Sequence, residues 1–330
     1  MTTLLFFNDD YYVDMSEIPF RGEIRRDYIT GSDVIFTFSR DSRPKDFKTE
    51  EVIFGNAENC PFEYGKERLN TTIKLVDDPW KLRLMYNKYP VVNNEIKPCA
   101  DEAFFTKFSN YGYSYVIVDT PSHNQKFHDI DEEMLEKWFD LIMESEDMMY
   151  SDKEIKQVYT FKNSGNISGG SLHHPHTQVI GFTFILPVVK QELSMIKNNK
   201  GGCLFEEAAE KEAERTLLSD KNAVAIAPFG SRFRGFSIIM PRRHISNVNE
   251  LNREEIASMV RFMKKILGKN WKIFGSHSYD ITFHGMRKND GFHFHIEIVP
   301  RFSNFGSMEL SGVYLNSLKP EEYCKMFDQT

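Results

Sequence analysis

The chain has 330 residues, 41% of them hydrophobic and 14% aromatic, enough to bury a sizeable core in one large domain or two smaller ones. A net charge of -7 and a pI near 5.9, with no dense Lys/Arg stripe, argue against nonspecific nucleic-acid binding. No apolar run approaches membrane-spanning length, the first residues lack the marks of a signal peptide, and the scattered Cys60, Cys99, Cys203 and Cys324 form no disulfide framework, so a cytoplasmic protein is expected.

In chain order, Ile24-Arg25-Arg26-Asp27 leads into a predicted strand at 34–38 and then Arg40-Asp41-Ser42-Arg43-Pro44. Cys60-Pro61-Phe62-Glu63 follows, and residues 81–90 carry Asn87 and Tyr89. The β-branched and aromatic content of 113–118 predicts a strand, ending in Pro121-Ser122-His123. From 129 to 149 the apolar residues Ile130, Met134, Leu135, Trp138, Phe139 and Ile142 keep helical spacing behind an acidic first turn. A short apolar run at 158–161 then opens into Gly169-Gly170-Ser171-Leu172-His173-His174-Pro175-His176-Thr177-Gln178 and a buried strand at 179–185.

That loop carries the chemistry. Alternation in an extended segment points residues i and i+2 to one face, and Pro175 biases His174 towards extended backbone, so both His174 and His176 can be aimed at one small volume. Gly169 and Gly170 allow backbone N–H groups to approach an anion, and Ser171 and Gln178 add neutral hydrogen-bonding groups. Neutral imidazole is nucleophilic near pH 7 and leaves readily from phosphorus. A carbonyl in the loop, that of His174, is expected to hold the other ring nitrogen of His176 and fix its tautomer.

From about residue 222 the elements repeat. A strand at 223–228 is followed by one at 236–240 that ends in Pro241-Arg242-Arg243-His244. A helix with Ile256, Met259, Val260, Met263 and Ile266 on one stripe comes next, then a strand with His293-Phe294-His295-Ile296-Glu297. The separation from His123 to His174 is 51 residues and from His244 to His293 is 49, as an internal duplication requires. Only the first copy keeps the His-Pro-His-x-Gln loop.

The pattern Phe161-x-Asn163-x-Gly165, Ser171 and His174-Pro175-His176-x-Gln178 resembles the active-site segment of galactose-1-phosphate uridylyltransferases and related nucleotide-sugar transferases. These form a branch of the histidine triad superfamily with Gln in place of the third histidine. The resemblance runs from about residue 20 to the end. It implies an α+β fold made of a duplicated histidine-triad-like unit, antiparallel sheets with helices packed on one side, divided into a catalytic half at 1–200 and a second half at 201–330.

The resemblance also implies nucleotidyl transfer through a covalent nucleotidyl-His176, most specifically UDP-glucose:hexose-1-phosphate uridylyltransferase activity, with His176, Gln178 and Ser171 catalytic. Arg25, Asn87, Asn163, Gly169 and Gly170 would bind substrate. Glu309 of the tail would reach sugar hydroxyls in the partner's site, so a homodimer is expected. Two alternatives stay open: a nucleotide-sugar or dinucleoside-polyphosphate phosphorylase transferring adenylyl to phosphate, and a non-catalytic protein that binds zinc or a nucleotide. In all cases the expected partners are a nucleotide sugar and a sugar 1-phosphate, with neither nucleic acid nor membrane.

Two metal sets follow from the resemblance. Cys60, Glu63, His123 and His174 match its zinc site, with Glu63 where the family commonly has a second cysteine. Either Glu63 takes that position, as a carboxylate can, or no metal binds and Cys60 is a packed thiol. Glu192, His284, His293 and His295 match a second site for iron or a second zinc; the alternative is that His293 and His295 are remnants packed on a sheet.

Overall fold

The structure, a computed structural model, describes residues 22–37, 57–101, 104–287, 289 and 291–330. Arg40 and Arg43 of the predicted Arg-x-x-Arg-Pro element lie outside them. The first half supplies β1 (Gly22–Arg26), β2 (Asp33–Thr37), β3 (Thr72–Val76), β4 (Leu82–Tyr86), the two-residue strands β5 (Ala100–Asp101) and β6 (Lys107–Phe108), β7 (Gly112–Val118), β8 (Gln157–Ser164) and β9 (His176–Phe182). The second supplies β10 (Thr216–Ser219), β11 (Ala223–Ile226), β12 (Ser237–Pro241), β13 (Ser278–His284), β14 (His295–Arg301) and β15 (Val313–Asn316).

Ten of these strands form one antiparallel sheet in the order β10-β11-β12-β14-β13-β8-β9-β7-β4-β3. Reading outward from the centre, β8, β9, β7, β4 and β3 mirror β13, β14, β12, β11 and β10, so the duplication inferred from spacing is a two-fold relation within one sheet. The halves meet where β13 pairs with β8, Tyr279 opposite Ser164 and Thr282 opposite Phe161. A smaller sheet joins the chain's two ends, β15 running parallel to β2 while β1 pairs with β2 on its other side.

The two long helices pack on one face. In α1 (Glu132–Tyr150) the Asp131 side chain accepts from the Met134 N–H and two glutamates occupy the positive first turn. Residues 127–129 form a separate 3-10 turn, so the helix starts later than its periodicity predicts. α2 (Pro187–Asn198) and α3 (Leu204–Lys211) are short. α4 (Arg253–Phe274) opens on a capping box between Asn252 and Glu255 and stops at Gly275, whose φ of 74° suits glycine. α5 (Ser307–Leu310) and α6 (Pro320–Gln329) complete the chain. No helix among the described residues is long and apolar enough to cross a membrane.

The main core holds Trp138, Phe139 and Ile142 of α1 and Met259, Met263 and Ile266 of α4 against Ile117, Val179, Ile239, Ile281 and Ile296. On the other face the halves differ. Over the second half, Phe205 of α3 and the partly buried Ile196 of α2 join Val224, Ile226, Ile238 and Met240 in a second cluster. The expected one-sided helix packing thus describes α1 and α4, while α2 and α3 cover part of the opposite face. Over the first half that face carries, among the described residues, a small cluster around Cys60, Phe62, Trp80 and Met85.

Glu146 of α1 is buried between Thr160 of the first half and Asn247 of the second, accepting from the Thr160 hydroxyl at 2.8 Å and the Asn247 amide at 3.2 Å. Burial pushes its carboxyl up to about 7, against the hydrogen bonds that oppose the shift. The folded state therefore holds this proton more tightly than the unfolded chain, whose carboxyl sits at 4.5. Its contribution to stability is complete below that value and is lost as the pH rises to about 7. Glu146→Gln should flatten the fall in melting temperature over that window, a linkage of about 3 kcal/mol, measured by thermal denaturation at a series of pH values. A variant with the wild-type pH slope would show that Glu146 does not carry this proton.

Candidate active site and metal centres

His176 is the first residue of β9, opposite Val118 of β7. Its Nδ1–H donates to the His174 carbonyl at 2.8 Å, the tautomer expected from the sequence, which leaves the Nε2 lone pair for chemistry. Burial first, then the nearby Lys162 ammonium, push the imidazole down to about 4, so the ring is neutral at physiological pH. Phe62 stands edge-on to it, ring centres 5.3 Å apart. Gln178, two residues on, shares the face and is half-buried.

The loop before His176 departs from expectation. The Gly169 N–H donates to the Asn166 carbonyl at 3.1 Å and the Gly170 N–H to the Gly165 carbonyl at 3.0 Å, so these groups close the loop on itself and are not presented to an anion. A Cβ on Gly170 would lie 2.9 Å from the Gly165 carbonyl oxygen, and one on Gly165, where φ is 90°, would lie 2.2 Å from Ser278 Oγ of β13. Glycine serves close backbone approach here. Ser171 is exposed and Asn163 half-buried at the mouth of the loop.

His174 and His176 do not share one volume as alternation predicted. The His174 ring turns to Cys60, Glu63 and His123, and the ligand atoms of these four residues lie within 4.8 Å of one another. Glu63 Oε1 is 2.7 Å from His123 Nδ1 and 3.1 Å from His174 Nδ1, and Cys60 Sγ is 3.7 Å from His174 Nδ1. His174 Nε2–H donates to the Thr120 carbonyl at 2.7 Å, which turns the Nδ1 lone pair towards the group. One sulfur, one oxygen and two imidazoles, with His123 Nε2 buried and unpartnered, fit a tetrahedral divalent cation.

The second set needs correction. His293 does not join Glu192, His284 and His295; it lies with Cys203, Glu206 and His244 in a group that repeats the first. Cys203 Sγ is 3.3 Å from His293 Nδ1, and His293 Nε2–H donates to the Pro241 carbonyl at 3.0 Å, as His174 does to Thr120. β14 begins at His295, so His293 precedes the strand and escapes its alternation. The sequence signal was the recurrence of Cys-x-x-Glu at 60–63 and 203–206.

Glu297 takes the vacated fourth position beside Glu192, His284 and His295. All four are buried, Glu192 Oε1 is 2.8 Å from His284 Nδ1, and Glu192 Oε2 and His295 Nε2 have no partner, which again fits a cation. His295 is the counterpart of His176, its Nδ1 held by the His293 carbonyl at 3.0 Å. Phe205 of α3 lies 4.5 Å from it, ring to ring, and closes this face. His295 is 0% exposed where His176 is 8%.

Two distant candidates have partners of their own. Arg25 donates to Glu23 at 2.7 Å, to Glu321 at 2.9 Å and to the Phe229 carbonyl at 3.1 Å, a buried network tying β1 to α6. Glu309 accepts from the Gly306 N–H at 2.9 Å and caps α5. Asn87 accepts from the Tyr89 N–H at 2.9 Å just past β4.

Residues 209–304 match the family model described as the HIT domain, and residues 45–185 match the N-terminal domain of a domain of unknown function, DUF4931. The second half is thus similar to the HIT domain and the first to DUF4931, each over less than half of the chain. The chain is 27% identical over 323 residues to an ADP-glucose phosphorylase of Arabidopsis thaliana, covering 92% of each chain. It is also 25% identical over 328 residues to a galactose-1-phosphate uridylyltransferase of Thermotoga maritima, covering 93% of this chain and 98% of the relative. The crystal structure of an ADP-glucose phosphorylase from Arabidopsis thaliana with bound ADP-glucose has the same fold, with a TM-score of 0.82 at 24% identity over 94% of this chain and 99% of that one. More particularly, then, the chain is galactose-1-phosphate uridylyltransferase-like, and its homologues are enzymes of nucleotidyl transfer.

The regrouping of His293 has a direct test in metal content. Where the Cys203 group takes up added cation, His293→Ala should lower the uptake there and leave that of the Glu192 group unchanged, and His295→Ala should do the reverse. Elemental analysis of each variant loaded with cobalt, whose thiolate absorption reports only cysteine-ligated sites, separates the two; identical losses would contradict the regrouping.

Proposed function

We propose that this enzyme transfers nucleotidyl groups between nucleotide sugars and phosphate acceptors by double displacement at His176. Nε2 attacks the α-phosphorus, the Nε2–P bond forms, and the sugar 1-phosphate leaves with the electron pair of the broken P–O bond. A phosphate oxygen of the acceptor then attacks phosphorus and returns the pair to Nε2. The observation that carries this reading is the Nδ1–H bond to the His174 carbonyl, which holds a neutral ring with its Nε2 lone pair free of the proton.

Gln178 and Ser171 are assigned to donate to the phosphoryl oxygens as charge develops, with Asn163 beside them. A glutamine donates without shuttling protons, which suits transfer to phosphate over hydrolysis. Gly169 and Gly170 shape the loop, Asn87 and Arg25 are assigned to the nucleotide and its phosphate, and Glu309 to sugar hydroxyls in the partner's site of a homodimer. Zinc is assigned to Cys60, Glu63, His123 and His174, and iron or zinc to Glu192, His284, His295 and Glu297. Such a cation crosslinks strand ends, and the first set would brace the loop that carries His176. The boundary between halves is placed near residue 200 and the working compartment is the cytoplasm.

Uridylyl transfer between glucose 1-phosphate and galactose 1-phosphate is the leading assignment. A second, adenylyl transfer from ADP-glucose to phosphate, is favoured by the Arabidopsis thaliana relative. Incubation with UDP-glucose or ADP-glucose labelled at the α-phosphate decides between them. Label bound to His176 from UDP-glucose, released by galactose 1-phosphate, supports the first; label from ADP-glucose alone, released by inorganic phosphate, supports the second. His176→Asn should take no label and lose on the order of 10³-fold or more in turnover. A wild-type enzyme that takes label from neither donor would remove the proposal.

A further inference from the structure

We infer that Lys162 and Asp119 form a buried clamp that positions His176 from the helix-covered side of the sheet; the inference rests on His176 being the nucleophile. Lys162 lies on β8 and Asp119 directly follows β7, the two strands that flank β9. Lys162 Nζ is 2.7 Å from Asp119 Oδ2, and the two side chains are 3% and 0% exposed. Their other side-chain hydrogen bonds, and the Asp119 N–H, go to Pro175, His176, Thr177 or the tryptophan behind them. Lys162 Nζ donates to the His176 carbonyl at 3.1 Å. The Asp119 N–H donates to the Pro175 carbonyl at 3.0 Å, and Asp119 Oδ1 accepts from Thr177 Oγ1 at 2.9 Å and Trp138 Nε1 at 3.0 Å. The pairing of β8 with β9 runs from Gln157 opposite Phe182 to Phe161 opposite Gln178, so the ammonium takes the His176 carbonyl where the ladder ends.

The second half provides an internal comparison. Gln178 faces Phe161 as Glu297 faces Thr282, which makes Phe283 the counterpart of Lys162 and Ile296 the counterpart of Thr177. Asp119 corresponds to the Met240–Pro241 step at the end of β12, where Ile239 faces Ile296. The three polar positions of the clamp are thus apolar in the copy whose histidine is sealed by Phe205. The fold accepts hydrophobic side chains at all of them. Two charges removed from water cost several kcal/mol, and apolar replacements are commonly neutral or stabilising, so the pair is not explained by stability. What it adds is a fixed backbone under His176: Pro175, His176 and Thr177 each lose freedom to it, and the imidazole inherits that orientation.

The test uses the full-length enzyme and the labelled donor that loads the wild type, with rapid-quench measurement of nucleotidyl-His176 formation. Lys162→Met and the paired variant Lys162→Met/Asp119→Asn, in which the new amide can still accept from Thr177 and Trp138, should slow labelling 10–100-fold. Their KM should stay within about threefold; the paired variant should melt at or above the wild type, whereas Lys162→Met alone, which leaves the Asp119 carboxylate buried without its partner, should melt lower but still fold. Lys162→Arg, able to reach both partners, should recover at least part of the rate. Variants that fold and label at the wild-type rate would overturn the clamp alone. Loss of the folding transition in both Met-containing variants would also overturn it, since the pair would then be structural. A wild type that takes no label from any donor overturns the nucleophile and the clamp together.

Discussion

An imidazole buried in a protein can attack phosphorus only if its proton sits on the far nitrogen and its ring cannot swing. In this chain both conditions are met by backbone: the His174 carbonyl holds His176 Nδ1–H, and the Thr120 carbonyl holds His174 in turn. Each link depends on a strand end staying in place, so the ten-stranded sheet is the frame that fixes a single pair of electrons. The group formed by Cys60, Glu63, His123 and His174 lies where three chain segments must keep register, which is where a cation has the most to stabilise.

The two halves began with the same equipment and have diverged around it. Both keep a Cys-x-x-Glu pair, a histidine after the central strand and a histidine pair at the entrance to the next. What separates them is cover. In the second half, α3 lays Phe205 across His295, and a carboxylate and a further histidine crowd the ring. In the first, that face carries, among the described residues, a small cluster around Phe62 and Trp80, and the His176 ring keeps 8% exposure. Both copies keep a possible cation group of Cys, Glu and two His, and only the second adds a fully buried set around Glu192 and His295.

Much of this was written plainly in the chain. The His174-Pro175-His176-x-Gln178 run, the repeated order of strands and helices, and the equal spacing from His123 to His174 and from His244 to His293 predicted the duplicated α+β fold and the loop. Local patterns failed where long-range pairing decides. Nothing in β8 or β13 marks them as partners, so the merger into one sheet was invisible. The resemblance grouped His293 with Glu192, His284 and His295, but the strand starts only at His295, and His293, two residues before it, lies with Cys203. Arg25 was expected to bind substrate, yet Glu321 meets it from nearly 300 positions away. Lys162 looked like an ordinary strand residue between Phe161 and Asn163, and its meaning appears only when Asp119 is brought across β9.

The parallel pairing of β15 with β2 bears on how such a molecule is made. β2 must wait for a segment roughly 280 residues later in the chain before that edge is covered. During that interval an unpaired edge is open to a neighbouring nascent chain, the circumstance in which segment exchange between copies arises. Slow translation of the intervening region would prolong the exposure, and a chaperone that shields β-edges would have a specific task on this protein.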